Sequence, residues 1–432
     1  MAQPPPPRKL SSAFSDSYNN LSELDCSGKT VISVSRDVTV PDQVRVDRCY
    51  RLPEYGPRIL FFSGGSAIRG LSIVLKSYTH NSIHLITPFD SGGSSAEIRK
   101  HLDMLSVGDL RNRLTALSDD TSLGNPAVVA LFSFRLNKCD VNVAKSEFGS
   151  ILSGKHDLVA NVSMPMRSIL ISHLRWFASR MPYNFDLCGA SIGNLIITGC
   201  FLEHDRDIVT AIFLIWTLLG VRGCVRPLTG ANLHIRTLYE DGTEEVGQHK
   251  IGKAEMGLHG KIVKIDFVES LETSERQEAH DCVIDTVSAD LVASADLIVY
   301  PCGSFFGSLL VNICVQGAGK AIAARNCPKI YIPNTDIDPE MYGYSIAECA
   351  GLIVEMVRVD AGNVPVSSII QYILVDTQNC EYCVPIEEEK ITMMGIQLID
   401  VVLVEDGQTE SKKKSKLLSP NKLVEVLVSL GA

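Results

Sequence analysis

Long apolar runs are missing from this chain of 432 residues. The longest, Ile208 to Gly220 (IVTAIFLIWTLLG), falls well short of the roughly 20 residues a membrane-spanning helix needs. No membrane partner is expected. Basic charge is also scarce: Lys and Arg number 40 against 50 Asp and Glu, a net charge of −10. The summed field therefore repels phosphate backbones, and nucleic acid is not an expected partner. The opening MAQPPPPRKL has no apolar stretch of the kind a secretory signal carries, which predicts a cytoplasmic location. No cysteine framework is present either. The 13 cysteines are scattered, and Cys200, Cys224, Cys282 and Cys314 sit in apolar stretches, as reduced core thiols do. Cys380-x-x-Cys383 has no second pair to complete a zinc site. His173 and His204 fall in helical patterns and read as surface or capping residues.

What is present is 45% hydrophobic residues, enough for a sizeable core. Residues 1–55 are rich in Pro, Ser, Asp and Asn and read as a mobile tail, with Pro4 to Pro7 favouring an extended polyproline segment. From Arg58 on, strand-like runs alternate with helical patterns (ILFF, IRGLSIVLKSY, SIHLITPF), the mark of parallel βαβ units. About 95–220 reads as a helical insert, with helices over 97–105, 109–118, 125–136, 163–180, 191–203 and 205–219. Strands return at GCVRPL, in a hairpin turning at Asp241-Gly242, at GKIVKIDFVE, and in a last βαβ pass from Ala295 to Asn334. Helices are expected at about 344–358 and 366–374, then a strand in GIQLIDVVLVE. Residues 406–432 read as a Lys-rich linker and a closing helix capped by SPNK. The fold class is α/β: a Rossmann-like three-layer domain over 56–405 with a mostly parallel sheet, the helical insert and a small antiparallel hairpin region.

Five short stretches carry the chemistry. SGGSAIRG places Gly64, Gly65 and Ser66 between a strand and a helix, where backbone N–H groups can face an anion. It matches neither G-x-G-x-x-G nor the Lys-Ser/Thr phosphate loop, so a tight turn is the other reading. PFDSGGSS puts Asp90 at the next strand end, followed by Ser94 and Ser95. Loops of this kind at adjacent strand ends would line one crevice, unless this one is merely a flexible polar loop. VGDLRNR holds Asp109, Arg111 and Asn112 at a helix start. Asp109 there serves either as an N-cap or, with Asp90, as an oxygen ligand of Mg²⁺, while Arg111 and Asn112 would clamp a phosphate or a sugar. ASIGNL sets Ser191, Gly193 and Asn194 at another helix start, as ligand donors or simple caps. PCGSFFGS repeats the first pattern with Gly303 and Ser304, as a second diphosphate cradle or an ordinary turn.

In this order the stretches resemble the family that contains the gluconeogenesis factor YvcK and the 2-phospho-L-lactate transferase CofD. The family's Gly-Gly-Gly-Thr-Gly looks like SGGSAIRGL, its Asp-Asp-Gly-Gly-Ser-Ser like FDSGGSS, and its Pro-Gly-Asp-hydrophobic-Arg-Asn like VGDLRN. IGNL, ADLIVYPCGS and PKIYIPN, the last ending at Asn334, complete a likeness that runs from Ile59 to about Ala350. The resemblance implies a nucleoside diphosphate-linked metabolite at the strand ends, with Mg²⁺ held by Asp90 and Asp109. It implies either transfer of a phosphorus-containing group or regulatory binding of a nucleotide sugar without catalysis. Phe89 stands where a family Asp is expected, and TDIDPEMYGYS replaces the family's Gln and Gly-Glu-Thr. A homo-oligomer is left open.

Overall fold

All five residues of Ile59–Ser63 (β1) are buried because the strand is central and packed on both faces. Leu60 and Phe62 point into a core shared with Ile298, Tyr300, Tyr331 and Ile353. Ile59 and Phe61 point the opposite way, against Leu75, Val424 and Leu427. Each fully buried side chain of this size contributes about 1.5–3 kcal/mol of transfer free energy. The remaining strands of the sheet are Ile83–Ile86 (β2), Cys224–Pro227 (β3), Leu297–Tyr300 (β7), Lys329–Tyr331 (β8), Tyr372–Val375 (β9) and Gln397–Asp400 (β10). They lie in the order β10-β9-β8-β7-β1-β2-β3, and every pairing is parallel. A second, antiparallel sheet of His234–Tyr239 (β4), Glu244–Val246 (β5) and Ile262–Val268 (β6) has the order β5-β4-β6.

This computed structural model describes residues 37–121, 124–252, 257–271, 282–405 and 417–431. From Thr39 onward the chain packs as one unit. Between β2 and β3 the chain is helical, with its own core of Leu110, Phe132, Phe177, Leu195 and Ile215, joined to the sheet through Ile86 and Val225. Among the described residues no helix is long and apolar enough to cross a membrane.

Several expectations need correction. The tail does not reach residue 55: Gln43–Arg51 is a helix whose N-cap, Asp42, accepts hydrogen bonds from the Val44 and Arg45 backbones at 3.1 and 3.2 Å. It packs against the closing helix Pro420–Leu430, which is no appendage because its Val424 and Leu427 complete the core beneath β1. Residues 1–36 of the expected tail, and Lys412–Lys416, lie outside the described residues. The helix expected at 366–374 is a single 3₁₀ turn, Val366–Ser368, leading into strand β9. Its continuous apolar run suits a strand covered on both faces, and periodicity cannot tell such a run from a buried helix. Helix Val141–Leu152, capped by Asp140, was absent from the sequence reading. His173 is not on the surface: it is buried between helices, with Nδ1 2.5 Å from Glu203 Oε2.

Candidate functional site

The chain leaves β1 toward β2 and β3 on one side and returns through β7 to β10 on the other. Winding therefore reverses between β1 and β7, and the loops from their carboxyl ends diverge to open a crevice. That crevice is a cleft of about 180 Å³ walled by Gly64, Gly65, Ser66, Asp90, Asp109, Gly303 and Ser304, with Gln248 and Ser308. A neighbouring cleft of about 400 Å³ shares the walls at Ala67, Ile68 and Pro301 to Ser304 and extends past Asn334 to Leu418 and Leu423. A larger cavity, about 990 Å³, lies at the opposite, amino ends of the strands around Ser82 and Arg222, and holds neither the glycine turns nor the acid pair.

Buried arginines fix the first two loops. Arg113, fully buried, donates to the carbonyls of Gly64 at 2.9 Å and Ile68 at 3.0 Å, and to the Ser72 hydroxyl. Arg99 donates to the carbonyls of Phe89 at 3.2 Å and Asp90 at 3.1 Å. Burial pushes both guanidinium pKa values down to about 10. Arg113 follows Asp109 by one turn of the helix Gly108–Ala116, so one helical face pins the Gly64-Gly65 turn from both sides. The Gly65 backbone N–H donates to the Asp109 carboxylate, and a Cβ on Gly65 would sit 2.3 Å from Asp109 Oδ1. Only glycine permits this approach. Burial, then the neighbouring Asp90, pushes Asp109 up to about 7, against the pull of Arg113, Gly65 and Arg111. Asp90 Oδ1 accepts from Gly92 N at 2.9 Å, while its Oδ2 lies 3.2 Å from the Cβ position of Gly108, next to Asp109.

Other predicted contacts hold the cleft instead of facing it. Asn194 is buried and spends its amide on Ser94 Oγ at 3.0 Å and on Arg111 Nε at 3.2 Å. A Cβ on Gly193 would meet Phe132 O at 2.5 Å and Arg111 Cγ at 2.9 Å, so this glycine serves helix packing. Ser191 and Ser95 are buried. Asn112 is half-buried, and its carbonyl accepts from Thr115 Oγ1. Asn334 brackets Gly303, accepting from its N–H and donating to its carbonyl, each at 2.7 Å. Gly303 has φ 141, in the region that favours glycine.

At the second glycine turn the donors have partners that the sequence reading missed. Glu340 accepts from the Phe306 and Gly307 N–H groups, both at 2.8 Å, and from Ser304 Oγ at 2.6 Å, while Asp338 accepts from Phe305 N at 3.0 Å. Burial raises both carboxyl pKa values, and Asp338 adds to the rise at Glu340. The second cradle is thus filled by carboxylates of the chain's own TDIDPEMYGYS segment. The D-x-E spelling of Asp338-Pro339-Glu340 was its only sequence signal. A second missed pair is Ser91 and His249, with Oγ 2.7 Å from Nδ1. Counted back from Gly92-Gly93-Ser94-Ser95, the family's two acids fall on Asp90 and Ser91. Ser91 thus takes the second acidic position, while Phe89 is a core residue with its ring centroid 4.7 Å from that of Phe267.

The family model described as 2-phospho-L-lactate transferase CofD matches residues 59–416, most of the chain and all of this cleft. The chain belongs to the CofD family. Among curated proteins it is similar to the gluconeogenesis factor of Listeria monocytogenes, 30% identical over 284 residues covering 65% of this chain and 67% of that protein. It is also similar to the gluconeogenesis factor of Bacillus subtilis, 28% identical over 296 residues covering 68% and 72%. A crystal structure of a Bacillus halodurans protein of the UPF0052 family matches in fold, with a TM-score of 0.60 at 23% identity, covering 86% of this CofD-family chain and 99% of the other.

Among the described residues no three His, Cys, Asp or Glu side chains form a preformed metal cage. Asp90 and Asp109 alone suit Mg²⁺, which keeps waters and takes its remaining ligands from substrate phosphates. A carboxyl that burial, then Asp90, pushes up to about 7 also suits a cation, which would replace the proton.

Proposed function

We propose that this CofD-family protein binds a nucleoside diphosphate-linked metabolite across the β1/β7 crevice, with Asp90 and Asp109 holding Mg²⁺ against the diphosphate. The supporting observation is the meeting of the Gly64-Gly65 turn, the Gly303 turn and two carboxylates at the point where the winding reverses. The smaller cleft suits a diphosphate, and the adjoining one leaves room for a nucleoside. When bound, the cation would offset charge on the phosphate oxygens. The protein's own part is to keep the Gly64 turn open through Arg113 and to aim Asp109 through the Gly65 N–H.

Loss of the second motif acid to Ser91 favours binding in a regulatory role, in keeping with the gluconeogenesis factors it resembles. A second reading, transfer of a phosphorus-containing group to an acceptor, is favoured by the retained Asp90 and Asp109. A thermal-shift screen of guanine and uridine diphosphates and their sugars, with and without Mg²⁺, tests the shared claim. A ligand that binds only the native state raises the midpoint. The expected result is a Mg²⁺-dependent rise that Asp109→Asn abolishes, and no shift with any nucleotide overturns it. Release of free nucleotide over time, measured on the nucleotide that binds, separates transfer from regulation.

A further inference from the structure

We infer that Arg69, Arg111 and Arg135 form a second anion subsite beside the cleft, which takes a carboxylate or phosphoryl group carried by the metabolite beyond its diphosphate. The inference rests on the binding reading above and specifies the ligand's far end. Arg111 is braced from behind, with Nε on Asn194 Oδ1 at 3.2 Å and its stem against Gly193. Arg135 is brought alongside by the antiparallel bridge between its backbone and that of Ser191, and its guanidinium is steadied by Gly189 O at 3.1 Å. Arg69 opens the helix that follows the Gly64 turn. Its Nη1 is buried without a hydrogen-bond partner, and so is the Ser191 hydroxyl.

Arg111 and Arg135 both meet the start of the helix Ile192–Glu203, through Asn194 and Ser191, and the helix that opens with Arg69 packs against the helix that carries Arg111. Among the described residues no carboxylate lies within ion-pair distance of Arg69, Arg111 or Arg135. Half-buried like charges beside an orphaned buried donor are costly, and an anion between them removes the cost. Planar guanidinium groups suit carboxylate and phosphoryl oxygens in two-point contact. Asp109, which lines the diphosphate cleft two residues before Arg111 on the same helix, ties this cluster to that cleft.

The test titrates inorganic phosphate into the full chain by calorimetry, first alone and then with Mg²⁺-pyrophosphate saturating the cleft. The wild type should bind phosphate under both conditions. Arg135→Met and Arg69→Met should each weaken it about tenfold, the size of one lost charge-assisted contact, with Arg135→Lys restoring part. Arg135 is exposed, so its Met variant is expected to fold, and circular dichroism of both variants confirms it. Equal phosphate affinity in wild type and variants overturns the subsite, as does loss of phosphate binding once pyrophosphate is present. Failure of pyrophosphate to bind, with phosphate binding still dependent on Arg135, sinks the diphosphate reading and leaves the anion subsite standing.

Discussion

Replacing Asp109 by Asn preserves the shape of the side chain and the acceptor for the Gly65 N–H, but removes a carboxyl that burial, then Asp90, pushes up from 3.8 to about 7. Between those values the folded chain keeps a proton that the unfolded chain releases. Stability of the metal-free wild type therefore falls as pH rises from about 4 to about 7, and it stays lower above that. At about 1.4 kcal/mol per pH unit, a window of about three units corresponds to roughly 4 kcal/mol, an upper figure because the site can relax. Asn carries no such dependence. Urea unfolding of both chains in a chelator at about pH 4, 6 and 8 gives the comparison. Groups common to both, such as the buried His84 and His173 whose pKa values burial lowers, cancel in the difference. The Asn variant should match the wild type at the acid end and exceed it by a few kcal/mol at the alkaline end. Added Mg²⁺ at alkaline pH should then stabilise the wild type alone. A difference between the chains that does not change with pH would refute the argument, because it would mean that Asp109 titrates where an exposed carboxylate does.

Glu340→Ala strips two buried donors, the Phe306 and Gly307 N–H groups, and the half-buried Ser304 hydroxyl, and should lower urea stability by about 3 kcal/mol or more. A loss under about 1 kcal/mol would show that water replaces the carboxylate at no great cost. Gly199→Ala places a Cβ 1.8 Å from His173 O and should force helices Met166–Arg180 and Ile192–Glu203 apart, with a large drop in melting temperature. Gly149→Ala, with nothing within 4 Å of the new carbon, should raise stability by about 0.5–1 kcal/mol in the same assay. Ser91→Asp, which restores the acidic motif position, should tighten Mg²⁺-dependent nucleotide binding in the thermal-shift screen, and weaker binding would show that the His249 contact is the one that matters.

Local chemistry was written in the chain. The four apolar residues Ile59 to Phe62, the Gly-Ser runs after two further strands, and the hairpin at Asp241-Gly242 announce βαβ units because strand burial, backbone freedom and turn geometry act over a few residues. The residues themselves offered Asp90 and Asp109 as a pair, and the family resemblance implied the same pair. The strand in residues 372–375 was not legible, since an apolar run buried on both faces has no period to read. Nor was the work of the arginines: that Arg113 and Arg99 tie loop carbonyls while Arg111 braces on Asn194 depends on contacts spanning tens of residues. The most consequential difference lies at the second glycine turn, which has the spelling of a phosphate cradle. Only tertiary packing could bring Glu340 and Asp338 onto its free N–H groups, because a buried donor takes whichever acceptor the fold delivers, and sequence distance does not reveal which one that will be.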